Sequence, residues 1–158
     1  MAKAWNVPGL HRDATFRDAA GRVVLTRWRE MMSYRDGTLA GEDIEELHAM
    51  RVSSRRLRAA MDAFAGAFPA MSFRRNLRVV KEITDTLGAA RDLDVAVAGL
   101  EAVMEDFSAE ERPGIASLAD EYRTQRLDEA AHIAALFVRL DDERFGRRFE
   151  RWVGRHTG

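Results

Sequence analysis

The chain has 158 residues, 46% of them apolar and 32% charged, a length that suits one domain and a composition that suits a packed core. It contains no cysteine, which excludes a disulfide framework, a thiolate metal site and a cysteine nucleophile, and fits a reducing compartment. No apolar run approaches the ~18 residues of a membrane span, and residues 1–11 lack the apolar stretch of a secretory signal.

In chain order, residues 1–11 read as a tail. A first helical segment runs from about Asp13 to Tyr34, with Phe16, Ala20, Val23, Val24, Trp28 and Met31 at helical spacing. Asp36-Gly37 is read as its stop. A second segment spans about Glu42 to Ala67 and ends at Phe68-Pro69. A third opens near Ser72, read as its N-cap, and continues to about Phe107. Gly88 and Gly99 lie inside it, and their missing side chains suggest close packing. Ser108-Ala109-Glu110-Glu111 reads as a capping box for a fourth segment, which carries Pro113 in its first turns and reaches about Leu140. A fifth, shorter segment covers Asp142 to Val153, and 154–158 read as a second tail. No strand alternation occurs. Short connections make neighbours antiparallel, so the fold class is all-α: one domain over 12–153, an antiparallel four-helix bundle with a short C-terminal fifth helix.

The formal net charge of −1 conceals an uneven distribution. Residues 1–91 carry 16 basic and 11 acidic side chains, while 92–158 carry 9 and 15. The span 47–91 is the most biased, with nine basic residues and three acidic, and arginine outnumbers lysine 23 to 2. Arginine is the residue of planar, forked contacts to phosphate and carboxylate.

The second segment arranges this charge. Leu47, Met50, Leu57, Met61 and Phe64 form its apolar stripe. His48, Arg51, Arg55 and Arg58 form a separate row over about 15 Å, and Arg56 stands apart from both. In the third segment Arg74, Arg78 and Lys81 share one edge, with Val80, Ile83 and Leu87 on the opposite one. Like charges one turn apart cost a few tenths of a kcal/mol per pair. Only Asp62, Glu42, Glu45 and Glu46 lie close enough along the second segment to relieve them. Such a row is either a solvated or salt-bridged face, or a binding surface for an anion.

Leu47-His48-Ala49-Met50-Arg51-Val52-Ser53-Ser54-Arg55-Arg56-Leu57-Arg58 resembles the signature of the CHAD domain, the conserved histidine α-helical domain. Its pattern His-x-x-Arg-Val-x-x-Arg-Arg-x-Arg is filled at each place. Leu87-Gly88-Ala89-Ala90-Arg91-Asp92-Leu93-Asp94-Val95 is similar to a second signature of the family, and Lys81 sits where the family often carries a basic residue. A weaker likeness lies at Leu140 to Phe145, with Trp152 after it. The resemblance covers about residues 12 to 153. It implies an all-helical fold and a module that binds inorganic polyphosphate, cytoplasmic and often at polyphosphate granules, without enzyme activity or cofactor. The binding residues it implies are His48, Arg51, Arg55, Arg56, Arg58, Arg74, Arg78, Lys81 and Arg91. Full CHAD domains carry two similar helical halves, and this chain carries the motifs of one. A homodimer that restores the second half is therefore expected, with Trp28, Phe149 and Trp152 as contacts.

Two other readings use the same residues. Glu45–His48 and Glu129–His132 have the Glu-x-x-His spacing of di-iron carboxylate bundles, with Glu30 and Glu82 or Glu101 as further ligands. The helical wheel opposes this, because Glu45 and His48 lie away from the core stripe. The basic rows also suit nucleic acid. The interleaved aromatics that stack single-stranded bases and a helix-turn-helix are both missing, so weak cross-binding is the expectation. The arginines at 144, 147, 148, 151 and 155 stay unassigned between extending the surface, pairing with acids and lining a dimer contact.

Overall fold

The computed structural model describes residues 3–157, which contain α-helices, two short 3-10 turns and no strand. The helices are α1 (Phe16–Ser33), α2 (Arg35–Ala40), α3 (Ile44–Ala63), α4 (Ala70–Val103), α5 (Arg112–Asp142) and α6 (Phe145–Thr157). Cross-helix pairs fix their directions. Phe16 meets Phe64 and Arg56 meets Glu30, so α1 and α3 are antiparallel. Arg51–Asp92 orients α4 against α3, and Arg126–Asp94 with Arg139–Glu82 orients α5 against α4. Trp28 against Phe145 and Phe149 sets α6 antiparallel to α1.

The long helices follow the expected bundle, and α6 does more than extend it. It packs on α1 and α5, so α1, α3, α4, α5 and α6 close into a ring around one core. That core takes Val24 and Met31 from α1, Leu47, Met50, Leu57 and Met61 from α3, Val80, Ile83 and Leu87 from α4, Phe137 from α5 and Phe149 from α6. Each buried aliphatic or aromatic side chain contributes about 1.5–3 kcal/mol. Trp28 and Phe149 lie in this core, 4% and 0% exposed. Trp152 is half-buried, stacked on Phe68 at 4.4 Å, and its Nε1 donates to Ser72 Oγ at 3.0 Å. Trp28 and Phe149 are therefore core residues and not surface dimer contacts, while Trp152 is held within the chain and stays partly exposed.

Several local expectations are corrected. Asp36-Gly37 does not stop a helix. The chain bends at Tyr34, continues as α2, and ends it at Gly41, whose φ of 68° is the left-handed conformation glycine adopts freely. Ser72 lies inside the first turn of α4, whose N-cap is Pro69. At 108–111 half of the capping box forms. Ser108 N and Oγ donate to the Glu111 carboxylate at 3.0 and 2.8 Å, but in a turn that precedes α5. A complete box stands at α1, where the Thr15 and Asp18 side chains answer each other's backbone amides at 3.1 and 3.2 Å. Gly99 has open space where a side chain would be, and a Cβ at Gly88 would sit in ordinary contact with Arg51 Nε at 3.7 Å. The glycine that does need its hydrogen is Gly21, where a Cβ would fall 2.1 Å from Thr157 Oγ1. Residues 154–157 are not a tail, since α6 runs to Thr157, which is buried. The rest of that expected tail, Gly158, and residues 1–2 lie outside the described residues. Among residues 3–11, Arg27 donates to Trp5 O at 2.8 Å, holding the segment on α1.

Candidate functional site

The i, i+3, i+7 spacing that defines the basic row of α3 continues one step further than charge alone suggests. His48, Arg51, Arg55, Arg58 and Asp62 form one stripe, because each step is three or four residues. On α4 the same rule joins Arg74, Arg78, Lys81, Asp85, Gly88 and Asp92. The helices are antiparallel neighbours, so the Arg51–Asp62 part of the first stripe faces the Asp85–Asp92 part of the second across a groove, and Arg74, Arg78 and Lys81 continue along α4 beyond its lining. Its central part encloses about 630 Å³ and is lined by Arg51, Arg55, Arg58 and Asp62 from α3, and by Asp85, Gly88 and Asp92 from α4.

Opposed charges fall level with one another. Arg51 Nη2 lies 3.9 Å from Asp92 Oδ1, with Asp92 77% exposed. That distance is too long for a hydrogen bond, and an exposed pair of this kind contributes about 0–1 kcal/mol. Arg51 Nε and His48 Nδ1 are enclosed and bond to no protein atom. Arg55, Arg58, Arg74, Arg78, Lys81 and Arg91 form no ion pair among the described residues. Relief of like-charge repulsion on α3 thus comes in part from α4, through the loose Arg51–Asp92 contact. Across both stripes six cations stand against three carboxylates, and the cations run from Arg51–Arg55–Arg58 on α3 to Lys81–Arg78–Arg74 on α4.

Eight of the nine expected binding residues lie on α3 and α4 without another structural partner within ion-pair distance, apart from the loose Arg51–Asp92 contact. Arg55, Arg74 and Arg78 are exposed, while His48, Arg51, Arg58, Lys81 and Arg91 are half-buried. The ninth, Arg56, is removed from the groove. Its Nη1 donates to Glu30 Oε1 at 3.0 Å on the α1 side. Glu30 is fully buried and also takes Arg27 and the Trp5 amide. Arg56 is a structural counter-charge there, as a buried carboxylate requires. Asp85 and Asp92 belong to a stripe that the basic residues alone do not delimit. Their signal was the unbroken spacing from Lys81 onward.

The residues nominated as metal ligands are dispersed. Glu30 holds arginines, Glu82 takes Arg139 at 2.6 Å, and Glu101 takes Arg123. Among the described residues no three His, Cys, Asp or Glu side chains gather around one point. Nor is any helix among them long and apolar enough to cross a membrane.

A flexible chain of tetrahedral oxyanions suits such a groove. Forked guanidinium donors at one-turn intervals match repeated oxygens and demand neither a base edge nor an apolar surface. In comparison with protein families, the model described as CHAD domain matches residues 22–158. Comparisons with curated proteins and with solved structures gave no match.

Proposed function

The chain belongs to the CHAD domain family, and from that premise we propose that it binds inorganic polyphosphate in the groove between α3 and α4. The observation that carries this reading is the pair of stripes on adjacent helices, which together hold six cations to three carboxylates, the cations nearly all unpaired among the described residues. Arg51, Arg55 and Arg58 hold successive phosphates from α3, and Lys81, Arg78 and Arg74 continue the contact from α4. Each charge-assisted bond contributes about 1.5–3 kcal/mol, and release of counterions from the polymer adds a term that falls with salt. His48 and Arg91 flank the end of the groove where Asp92 lies. Nothing in this scheme breaks a bond, so the role is binding and not catalysis. Highly purified protein incubated with the polymer should release no phosphate.

The setting proposed is the cytoplasm, at polyphosphate granules, with two copies of the chain paired. Light scattering at tens of micromolar checks the pairing, and a strict monomer contradicts it. Nucleic acid is the competing ligand. The groove carries no exposed aromatic for base stacking, so at equal phosphate concentration polyphosphate should displace DNA. Direct binding measured by fluorescence anisotropy tests the reading. Polyphosphate should bind with an affinity that drops steeply with salt, and absence of binding at low salt contradicts it.

A further inference from the structure

The outer face of α6 carries the other concentration of positive charge. Arg147, Arg151 and Arg155 recur at i, i+4 and i+8, which sets them in one row about 12 Å long, and Arg144 stands just before the helix. All four are exposed. None pairs with a carboxylate among the described residues, and three of the acids nearby are engaged elsewhere. Glu150 takes Arg29, Asp141 takes Arg35, and Glu143 takes Arg139 and Arg148. Arg144 holds a φ of 52°, uncommon for a residue with a side chain. That turn keeps it beside Arg147, with which it lines two adjoining clefts.

Two observations narrow what this row can bind. The apolar face of α6, Phe145, Phe149 and Val153, is buried, so nothing remains to insert into a lipid surface. No aromatic side chain is exposed on the row, so bases have no platform. A partner must be read through charge and oxygen atoms alone. The row also has a neighbour. Trp152 Nε1 donates to Ser72 Oγ at 3.0 Å, which joins α6 to the first turn of α4. Arg74 and Arg75 stand two and three residues after Ser72, and both are exposed.

We infer that the polyphosphate track does not end at Arg74 but continues over the N-terminal end of α4, by Arg75, onto Arg155, Arg151 and Arg147 of α6 and Arg144 just before it. This rests on the polyphosphate reading above. It assigns the C-terminal arginines to the ligand, in place of acid pairing or a dimer contact. A long chain then engages two linked surfaces, and the second contact is gained at high effective concentration. A short oligomer reaches only one.

The test compares three folded proteins, with circular dichroism as the check on folding: the parent, Arg51→Ala with Arg55→Ala, and Arg147→Gln with Arg151→Gln and Arg155→Gln. Glutamine preserves helix propensity. Each is titrated with tripolyphosphate and with a polymer of hundreds of phosphates at several salt concentrations. The α6 variant should lose about tenfold or more in affinity for the long polymer, and its log–log salt slope should fall by roughly two. The preference for long over short chains should shrink with it. If the folded α6 variant binds the long polymer as the parent does while the groove variant fails, this inference is overturned and the groove reading stands. If the groove variant binds normally and the α6 variant fails, the groove reading falls and the α6 contact stands. If neither loses affinity, both fall.

Discussion

Neighbouring residues of one motif do different work. Arg55 and Arg56 are adjacent in sequence, yet a helix turns ~100° per residue and sends them to different faces. Arg55 reaches the groove, while Arg56 holds the buried Glu30. Arg56→Met should therefore lower thermal stability and leave polyphosphate affinity within about twofold. Arg55→Met should do the reverse, and Arg55→Lys should recover part of the loss because it keeps charge without the fork. Glu30→Gln removes the carboxylate that satisfies two arginines. Breaking a buried pair costs about 3–5 kcal/mol, so the melting temperature should drop by roughly 6–20 °C. A thermal scan showing no change contradicts the structural role. The acids of the groove give the opposite prediction for binding. Asp92→Asn frees Arg51 and removes a charge that repels phosphate, so affinity should rise severalfold at low salt. Lower affinity in the folded variant means that Asp92 positions Arg51 and does not compete with the ligand.

At the scale of elements, the α1–α6 contact depends on Gly21. An alanine there places its Cβ on Thr157, and forcing atoms into packed contact costs about 1–3 kcal/mol. Gly21→Ala should destabilise the protein, and Thr157→Ala added to it should restore part of the loss, both read from melting temperatures. The start of α1 is sensitive to acid. The Thr15 hydroxyl and amide donate to the Asp18 carboxylate and hold it below its ordinary pKa of 3.8. A lowered folded value means that this stabilisation is complete above 3.8 and is lost as pH falls through the folded value. Amide exchange at the first turn of α1 should accelerate across that acidic range, and exchange insensitive to pH beyond the intrinsic rate contradicts the box. The helices that frame the groove were legible in the sequence because their apolar stripes run for many turns. The breaks were less so. The short α2 has no buried residue of its own and hence no periodicity to detect. Gly41 and Asp36-Gly37 look alike as punctuation, and only the backbone distinguishes them. Thr15-Phe16-Arg17-Asp18 carried a capping signal that was overlooked, whereas Ser108 to Glu111 carried one that tertiary context shifted by a turn. Of the site, the basic rows could be read from spacing, but the register that faces Arg51 toward Asp92 is set by the packing of two helices.

At the scale of the whole molecule, the proposed function asks a chain with net charge −1 to bind a polyanion, which requires that its charges be separated. Carboxylates of α4 are matched by arginines of α5 on their shared seam, Glu101 by Arg123, Asp94 by Arg126 and Glu82 by Arg139, while the α3 and α4 stripes taken together keep an excess of cations. Arg126 pairs with the largely buried Asp94, so replacing it disturbs the fold. Arg123→Gln with Arg139→Gln is the proper control for loss of two charges, since surface pairs contribute about 0–1 kcal/mol each. The central claim is that polyphosphate lies against Arg51 and Arg55, and the salt dependence of binding by Arg51→Ala with Arg55→Ala tests it most directly. Both positions lie off the core and repel each other weakly, so the variant should fold. Its affinity should fall strongly and its slope of log affinity against log salt should drop by roughly one to two, while the Arg123/Arg139 control stays close to the parent. A folded double variant that binds polyphosphate with unchanged affinity and unchanged slope contradicts the account.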